Sequence, residues 1–381
     1  MTATETTITG ANRVRYCKTC LMPDTRPRIV FNEDGICNAC LTAAEKVEID
    51  WDVRLADFRR LVEENRPVNS DYDCVVPWSG GKDSSAIAYK LKFEHGLNPL
   101  LVTFSPLIPN EVGEHNREAL LRAGFDHVMV RPNQKVARHL ARRFFVERGN
   151  PKVHWDAGVN SAPVQVAAHY GIPLIFYAEH GESEYGGRVL SEEHKKLRDI
   201  TEVLEHQIGD HPENWLDDVV EERDLAPYVY PDVDEVERAG VKAVYFAWFF
   251  PWDVAENYDY IASKIDFRTA LSGRSDGTFT NFDSLDDKID NLYYYMQFIK
   301  FGFGRATRDA SRQIYRGRMS REEALELVRK YDDEFPHSFH AETLDYLEMD
   351  DAEFEKLVDL HRNSEIWQET ANGWSLRFPP R

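Results

Sequence analysis

Ser79-Gly80-Gly81-Lys82-Asp83-Ser84-Ser85 sets two adjacent glycines between a hydroxyl and a run of cation, carboxylate and hydroxyls. Adjacent glycines let a backbone turn sharply and expose its N–H groups. Those amides, the Ser79, Ser84 and Ser85 hydroxyls and the N-terminus of a following helix make an anion cradle fit for phosphate. The pattern is not the common nucleotide loop. Walker A has Gly-Lys followed directly by Ser or Thr, and here Asp83 intervenes.

A second cluster is equally specific. Cys17-Lys18-Thr19-Cys20 and Cys37-Asn38-Ala39-Cys40 are two Cys-x-x-Cys pairs sixteen residues apart. This spacing fits a four-thiolate zinc site, closed and structural because all four positions are filled. An iron–sulfur cluster is the competing occupant, since four thiolates suit one as well. The segment has little apolar content of its own, so metal binding is expected to supply much of its folding free energy. Cys74 stands apart in a short apolar run and reads as a buried residue.

The elements that must position the loop follow from the hydrophobic pattern. "CVVPW", "PLLVTFS", "HVMVRP" and "IPLIFYAEHG" are short apolar runs. They alternate with the helical stretches "DSSAIAYKLKFEHG", "NREALLRAG" and "PVQVAAHYG". That alternation predicts βαβ units and a parallel sheet covered on both faces. The loop then joins the first strand to its helix. "VKAVYFAWFF" is open between a further strand and a buried helix. "LSEEHKKLRDITEVLEHQIG" and "SREEALELVRKYD" read as capped helices. The expected organisation is a disordered N-terminus (1–15), a four-cysteine segment (16–45), a helix and linker (46–72), an α/β domain (73–255) and a helical C-terminal region (256–381).

Composition sets limits. The 381-residue chain is 42% hydrophobic, as globular proteins are, and carries a net charge of −20. That acidity argues against broad nucleic-acid binding, whose footprint is a basic face. "MTATETTITGANRVRY" has no apolar core of a signal peptide, and "AVYFAWFFPW" is too short to cross a bilayer. A cytoplasmic protein with no membrane partner is expected.

"SGGKDS" on a strand-to-helix turn resembles the signature of the PP-loop ATP pyrophosphatase superfamily. The resemblance implies a Rossmann-like α/β fold and cleavage of ATP between its α and β phosphates. By the same likeness Ser79, Gly81, Ser84 and Ser85 hold the β and γ phosphates, and Asp83 helps hold Mg²⁺. Pro77, Trp78, Gly80 and Lys82 complete the loop, and Thr103-Phe104 meet the adenine. The four-cysteine segment, "AEHGESEYGG", "TNFDSLDDKIDNLYYYMQFIKFGFGRATRDAS" and "REEALELVRKYDDEFP" resemble the N-acetyl sugar amidotransferase family of bacterial surface-glycan pathways. That likeness spans residues from about 15 to 370, and is most specific over 280–311. One departure is Ala178-Glu179-His180, where the family pattern reads Gly-Glu-Asn. The family implies adenylation of an acetamido oxygen on a sugar or nucleotide sugar, then replacement of that oxygen by ammonia-derived nitrogen. It also implies a separate glutaminase subunit and a cyclase-like barrel as ammonia source, since no glutaminase triad is evident here. Asp83, Lys82 and Ser79 are the expected catalytic set.

Other residues are weaker candidates. Glu179, Glu184, Tyr185 and Gly186 follow the fourth strand, where ligands bind in such folds. Lys300, Arg305 and Arg308 gather positive charge in an acidic chain and suggest a phosphate partner. Asp286, Asp287 and Lys288 read either as a helix start or as sugar or metal contacts. His154 and Asp156 form a possible base pair beside Trp155. Tyr293-Tyr294-Tyr295 reads as core packing on one helix, with stacking on a ligand as the alternative. Two rivals stay open: a tRNA-thiolating PP-loop enzyme and an inactive scaffold.

Overall fold

The computed structural model describes residues 13–189, 191–198, 208–371 and 373–381. The four predicted strands form as β1 (Cys74–Pro77), β2 (Pro99–Phe104), β3 (Asp126–Val130) and β4 (Leu174–Tyr177). A fifth, β5 (Lys242–Tyr245), joins them in one parallel sheet of order β3-β2-β1-β4-β5. β2 is buried at all six positions, because helices cover both faces of the sheet. Alternate strand residues feed two cores. Val75, Leu100, Val102 and Ile175 face one side, with Leu140, Phe144 and Val164. Cys74, Val76, Leu101 and Phe176 face the other, with Phe58, Ile87 and Leu91.

The covering helices start and stop on local signals. α1 (Asn38–Glu45) continues from the second cysteine pair, and α2 (Trp51–Glu64) is N-capped by Asp50. α3 (Lys82–Phe93) follows the Gly-Gly loop, and α4 (Glu111–Leu121) is capped by Asn110. α5 (Gln134–Arg148) and α6 (Val153–Tyr170) both end at left-handed glycines, Gly149 and Gly171. α5 is absent from the strand–helix alternation read in the sequence. His154, Trp155 and Asp156 lie in the first turn of α6 and do not precede it. α7 (Gly181–Tyr185) follows β4, and α8 (Val233–Arg238) precedes β5. "VKAVYFAWFF" is both things at once: β5 and the one-turn helix α9 (Phe246–Phe249).

Of the expected helix over 190–209, residues 191–198 are not α-helical. Residues 191–198 form a short 3₁₀ turn at Glu193–Lys195, with Leu197 bridged to Val244. Leu190 and residues 199–207 lie outside the described residues. Residues 1–12 of the expected disordered N-terminus lie outside them too. Val14 is buried and Arg15 pairs with Asp24 at 2.8 Å.

The rest of the chain is mainly helical, as expected. α10 (Val254–Ala262) lies against α3. α11 (Asp290–Phe301) packs Leu292 and Met296 onto Phe145 of α5. α12 (Arg305–Tyr315) and α13 (Arg321–Tyr331) form a pair, and α13 opens on a full Ser320/Glu323 capping box. α14 (His340–Leu347) and α15 (Asp351–Leu360) extend the α5/α11 core. The antiparallel hairpin β6 (Trp367–Thr370) and β7 (Gly373–Leu376) ends the chain. Among the described residues, no helix is long and apolar enough to cross a membrane.

Candidate functional site

The Gly-Gly loop lies at the carboxyl end of β1, and Ala178-Glu179 lies at the carboxyl end of β4. These neighbouring strands lead away in opposite directions through the sheet, to β2 and to β5. A crevice at such a reversal is where open α/β sheets bind ligands. Gly80 has φ +91°, and a Cβ there would sit 2.4 Å from Arg117 Cγ. Only glycine allows this turn. Arg117 Nη1 donates to the Ser79 carbonyl at 3.2 Å, and Gly81 N–H donates to Ser79 Oγ at 3.1 Å. Gly81 is the N-cap of α3, so the first amides of that helix face the loop.

A cleft of about 430 Å³ opens here. One wall is Ser79, Gly81, Lys82, Asp83 and Ser84. The others come from β4 (Glu179), from α6 (Trp155, Asp156) and from the C-terminal region (Asp283, Asp286, Tyr293). Lys82 is 3% exposed and donates to Asp83 at 2.7 Å and to Asp283. Burial alone would lower the Lys82 pKa, but Asp283 and Asp83 outweigh it and raise it. Asp283 is raised by burial and lowered more by Lys82 and Arg312, ending near about 2. Asp83 also accepts from Asn257 Nδ2 of α10 at 2.9 Å. Glu179 accepts from the Tyr185 hydroxyl, yet burial, then the nearby Asp83, pushes it up to about 7.

Of the expected nucleotide contacts, Ser79, Gly81, Lys82, Asp83 and Ser84 line the cleft. Trp78, Ser85, Thr103 and Phe104 do not. Trp78 is buried and its indole N–H donates to Ser85 Oγ at 2.9 Å. Ser85 is fully buried, so its hydroxyl serves the tryptophan and is not turned to a ligand. The Thr103 hydroxyl donates to the Trp78 carbonyl and contacts His127 at 2.9 Å. Phe104 fills the space left by Gly158, where a Cβ would sit 2.2 Å from its ring. Pro77 ends β1, and Gly80 lies under Arg117.

The weaker candidates separate in the same way. Glu179 is in the cleft. Glu184 is buried in ion pairs with Lys46 and, at 3.4 Å, Arg316. The Tyr185 ring packs on Arg312 at 4.3 Å. The Gly186 carbonyl accepts from Arg26 and the Gly187 carbonyl from Asn38, so these glycines let β4's loop meet the cysteine segment. Arg308 reaches the cleft. Arg305 is buried beside it, donating to the Asp283 carbonyl at 2.6 Å. Lys300 is elsewhere and donates to the Arg148 carbonyl at 2.7 Å.

Asp287 accepts from the Leu107 and Ile108 amides at 2.9 and 3.0 Å and is 2% exposed. It is a latch, and it precedes α11 instead of starting it. Lys288 reaches Glu111 at 3.2 Å. The His154–Asp156 base is not formed. His154 is fully buried, and its ring nitrogens have no hydrogen-bond partner among the described residues. Burial, then Lys152, lowers it to about 3. Tyr293 and Tyr294 line the cleft, whereas Tyr295 packs on Phe335.

Residues passed over in the sequence are Asn257, Asp283, Arg312 and Lys152. Asp283 lies in "TNFDSLDDK", so that stretch held its signal; nothing local marks the others.

The four cysteine sulfurs lie within 4.8 Å of one another, all buried. Cys20 and Cys37 Sγ are 3.6 Å apart, Cys17 and Cys40 3.9 Å. A tetrahedron of thiolates with bonds of about 2.3 Å has edges of about 3.8 Å, so the set fits one metal ion. The segment does have apolar support. Met22 and Ala39 pack with Phe303, Phe301 and Ile314, the core being lent by the C-terminal region.

Comparison with known proteins gives one family match. Residues 276–378 match the family described as LPS biosynthesis protein WbpG-like, C-terminal domain. No curated protein matches the chain. Among solved structures, a predicted subunit of tRNA methyltransferase from Methanocaldococcus jannaschii aligns at 17% identity. It covers 50% of this chain and 76% of its own, with a TM-score of 0.28. The U34-tRNA thiolase NcsA from Methanococcus maripaludis, solved with its [4Fe-4S] cluster, aligns at 10% identity. It covers 80% of this chain and 86% of its own, with a TM-score of 0.27. The matched C-terminal segment supplies Asp283, Asp286, Asp290, Tyr293 and Arg308 to the cleft. Over that segment, the chain is similar to the WbpG-like family of LPS biosynthesis proteins.

Proposed function

We propose that this protein is an ATP-dependent amidotransferase synthetase subunit acting on the N-acetyl group of a sugar or nucleotide sugar. The observation that carries the reading is one cleft. It joins the Gly-Gly loop and Asp83 to a wall supplied by the LPS-biosynthesis segment. The loop amides and Ser79 and Ser84 hydroxyls would bind the β and γ phosphates, with Arg308 completing the anion site. Asp83 faces the same space and, with Glu179, fits Mg²⁺, which takes one or two carboxylates beside phosphate oxygens. When bound, Mg²⁺ neutralises charge on the departing pyrophosphate.

The acetamido oxygen attacks the α-phosphorus, the P–O bond to the β-phosphate breaks, and pyrophosphate leaves into the amide cradle. The product is an O-adenylyl imidate. Ammonia then adds at the imidate carbon, AMP carries the oxygen away, and an acetamidino group remains. An inert amide oxygen thereby becomes part of a good leaving group. Preorganised amides stabilise the charge that builds on that group, where such stabilisation counts most.

No cysteine lines the cleft: Cys74 is fully buried in β1 and the other four form the cluster. This favours amide activation over tRNA thiolation. The ammonia source we propose is a separate glutaminase with a cyclase-like barrel. The test is incubation with N-acetylated nucleotide sugars, ATP, Mg²⁺ and ammonium, followed by mass spectrometry. Exchange of O for NH in the sugar, with AMP and pyrophosphate released, is expected. ADP release, or pyrophosphate exchange stimulated by tRNA and not by sugar, would overturn the reading.

A further inference from the structure

The cleft wall facing the Gly-Gly loop differs in chemistry from the loop itself. Lys152, 5% exposed, is the cation set into this wall and is already engaged, pairing with Asp290 and lying 3.8 Å from Asp287. That leaves the Asp156 and Asp286 carboxyls, which line the cleft with no hydrogen bond or ion pair among the described residues. Tyr293 lines it as well, its hydroxyl also without a hydrogen bond among the described residues; its ring meets Tyr294 edge-on at 5.4 Å. Burial, then Asp290, pushes both carboxyls up to about 7. Unsatisfied polar groups at a half-buried wall are costly unless a ligand completes them.

We propose that Asp156, Asp286 and Tyr293 form the seat of the sugar ring, binding its free hydroxyls while the acetamido group points at the loop. This rests on the reading above that the acceptor is an N-acetylated sugar. The chemistry discriminates between ligands. Two carboxyls with no direct ion pair among the described residues disfavour a phosphate, so the anionic part of a nucleotide sugar lies toward Arg308 and not against this wall. Neighbouring hydroxyls of a neutral sugar can each donate to a carboxylate oxygen, and the Tyr293 hydroxyl can donate to a third oxygen. The site therefore selects by hydroxyl pattern, because an analogue lacking one leaves a half-buried acceptor unpaired.

The test is calorimetric titration of the full chain with uridine-diphosphate-linked N-acetylhexosamines, and separately with ATP. Asp156→Asn and Asp286→Asn are each expected to weaken sugar binding about tenfold, and Tyr293→Phe about threefold. ATP binding should stay within about twofold of wild type. Unchanged sugar affinity in all three variants overturns the assignment. So does equal loss of sugar and ATP affinity, or failure of the wild type to bind any of these sugars. Binding is read without turnover, so the seat and the amidotransferase reading fail separately. Sugar-stimulated pyrophosphate exchange with sugar affinity indifferent to the three variants sinks only the seat. Sugar binding that depends on them, with no exchange, sinks only the reaction.

Discussion

Lys82, in the first turn of α3, is held by Asp283, 201 residues further along the chain. The same ammonium donates to Asp83 at 2.7 Å. One buried cation thus ties the Gly-Gly loop to the segment similar to the WbpG-like family and leaves Asp83 aimed at the cleft.

Replacing either carboxylate separates two roles. Asp283→Asn leaves Lys82 half-compensated in a buried site and is expected to lower stability by about 2 kcal/mol, measured by urea unfolding. Asp83→Asn keeps the Asp283 partner and the fold. It should cut ATP–pyrophosphate exchange about a hundredfold. A variant at 83 with full exchange would remove that residue from the reaction.

Glu179 makes stability depend on pH. Its folded pKa is raised from 4.5 to about 7 by burial and then Asp83. Between those values the folded state keeps a proton that the unfolded chain has lost. Its contribution therefore falls as pH rises through this window and is flat above it. Glu179→Gln removes that dependence. Relative to wild type, the variant should gain stability from pH 5 to pH 8, read from denaturant midpoints at both. A gap that shrinks as pH rises would contradict the assignment.

The cysteine cluster should hold a single metal ion per chain. Elemental analysis is expected to find zinc; iron with sulfide would identify the other occupant. Cys37→Ser should lose the metal and lower the melting temperature by on the order of 10 °C. The loss spreads through Phe303 and Ile314, so α12 should show faster amide exchange as well.

Arg308 and Lys300 were equal candidates by charge, and the fold divides them. Arg308→Gln should raise the KM for ATP about tenfold, since a charged hydrogen bond to phosphate is lost. Lys300→Gln should leave kcat and KM within about twofold, because its ammonium serves the Arg148 carbonyl. A matching defect in both would place the nucleotide elsewhere.

Local order alone determined much of this protein. Four apolar runs, the helices between them and the Gly-Gly turn follow from periodicity and backbone freedom, which act over a few residues. The two Cys-x-x-Cys knuckles are likewise short-range geometry, and their sulfurs do meet. Tertiary structure decided which side chains face the cleft. Ser85 looked like a phosphate contact until burial of Trp78 gave its indole N–H a claim on that hydroxyl. Asn257 and Lys152 carry no local mark. Asp283 and Lys152 reach the cleft, and Asn257 reaches Asp83, only because α10, the segment before α11, and the start of α6 converge over the ends of β1 and β4. The physical reason is range: propensity and turn chemistry are settled between neighbours. Pairing a buried charge such as Lys82, by contrast, requires a partner that only the folded chain can bring within reach.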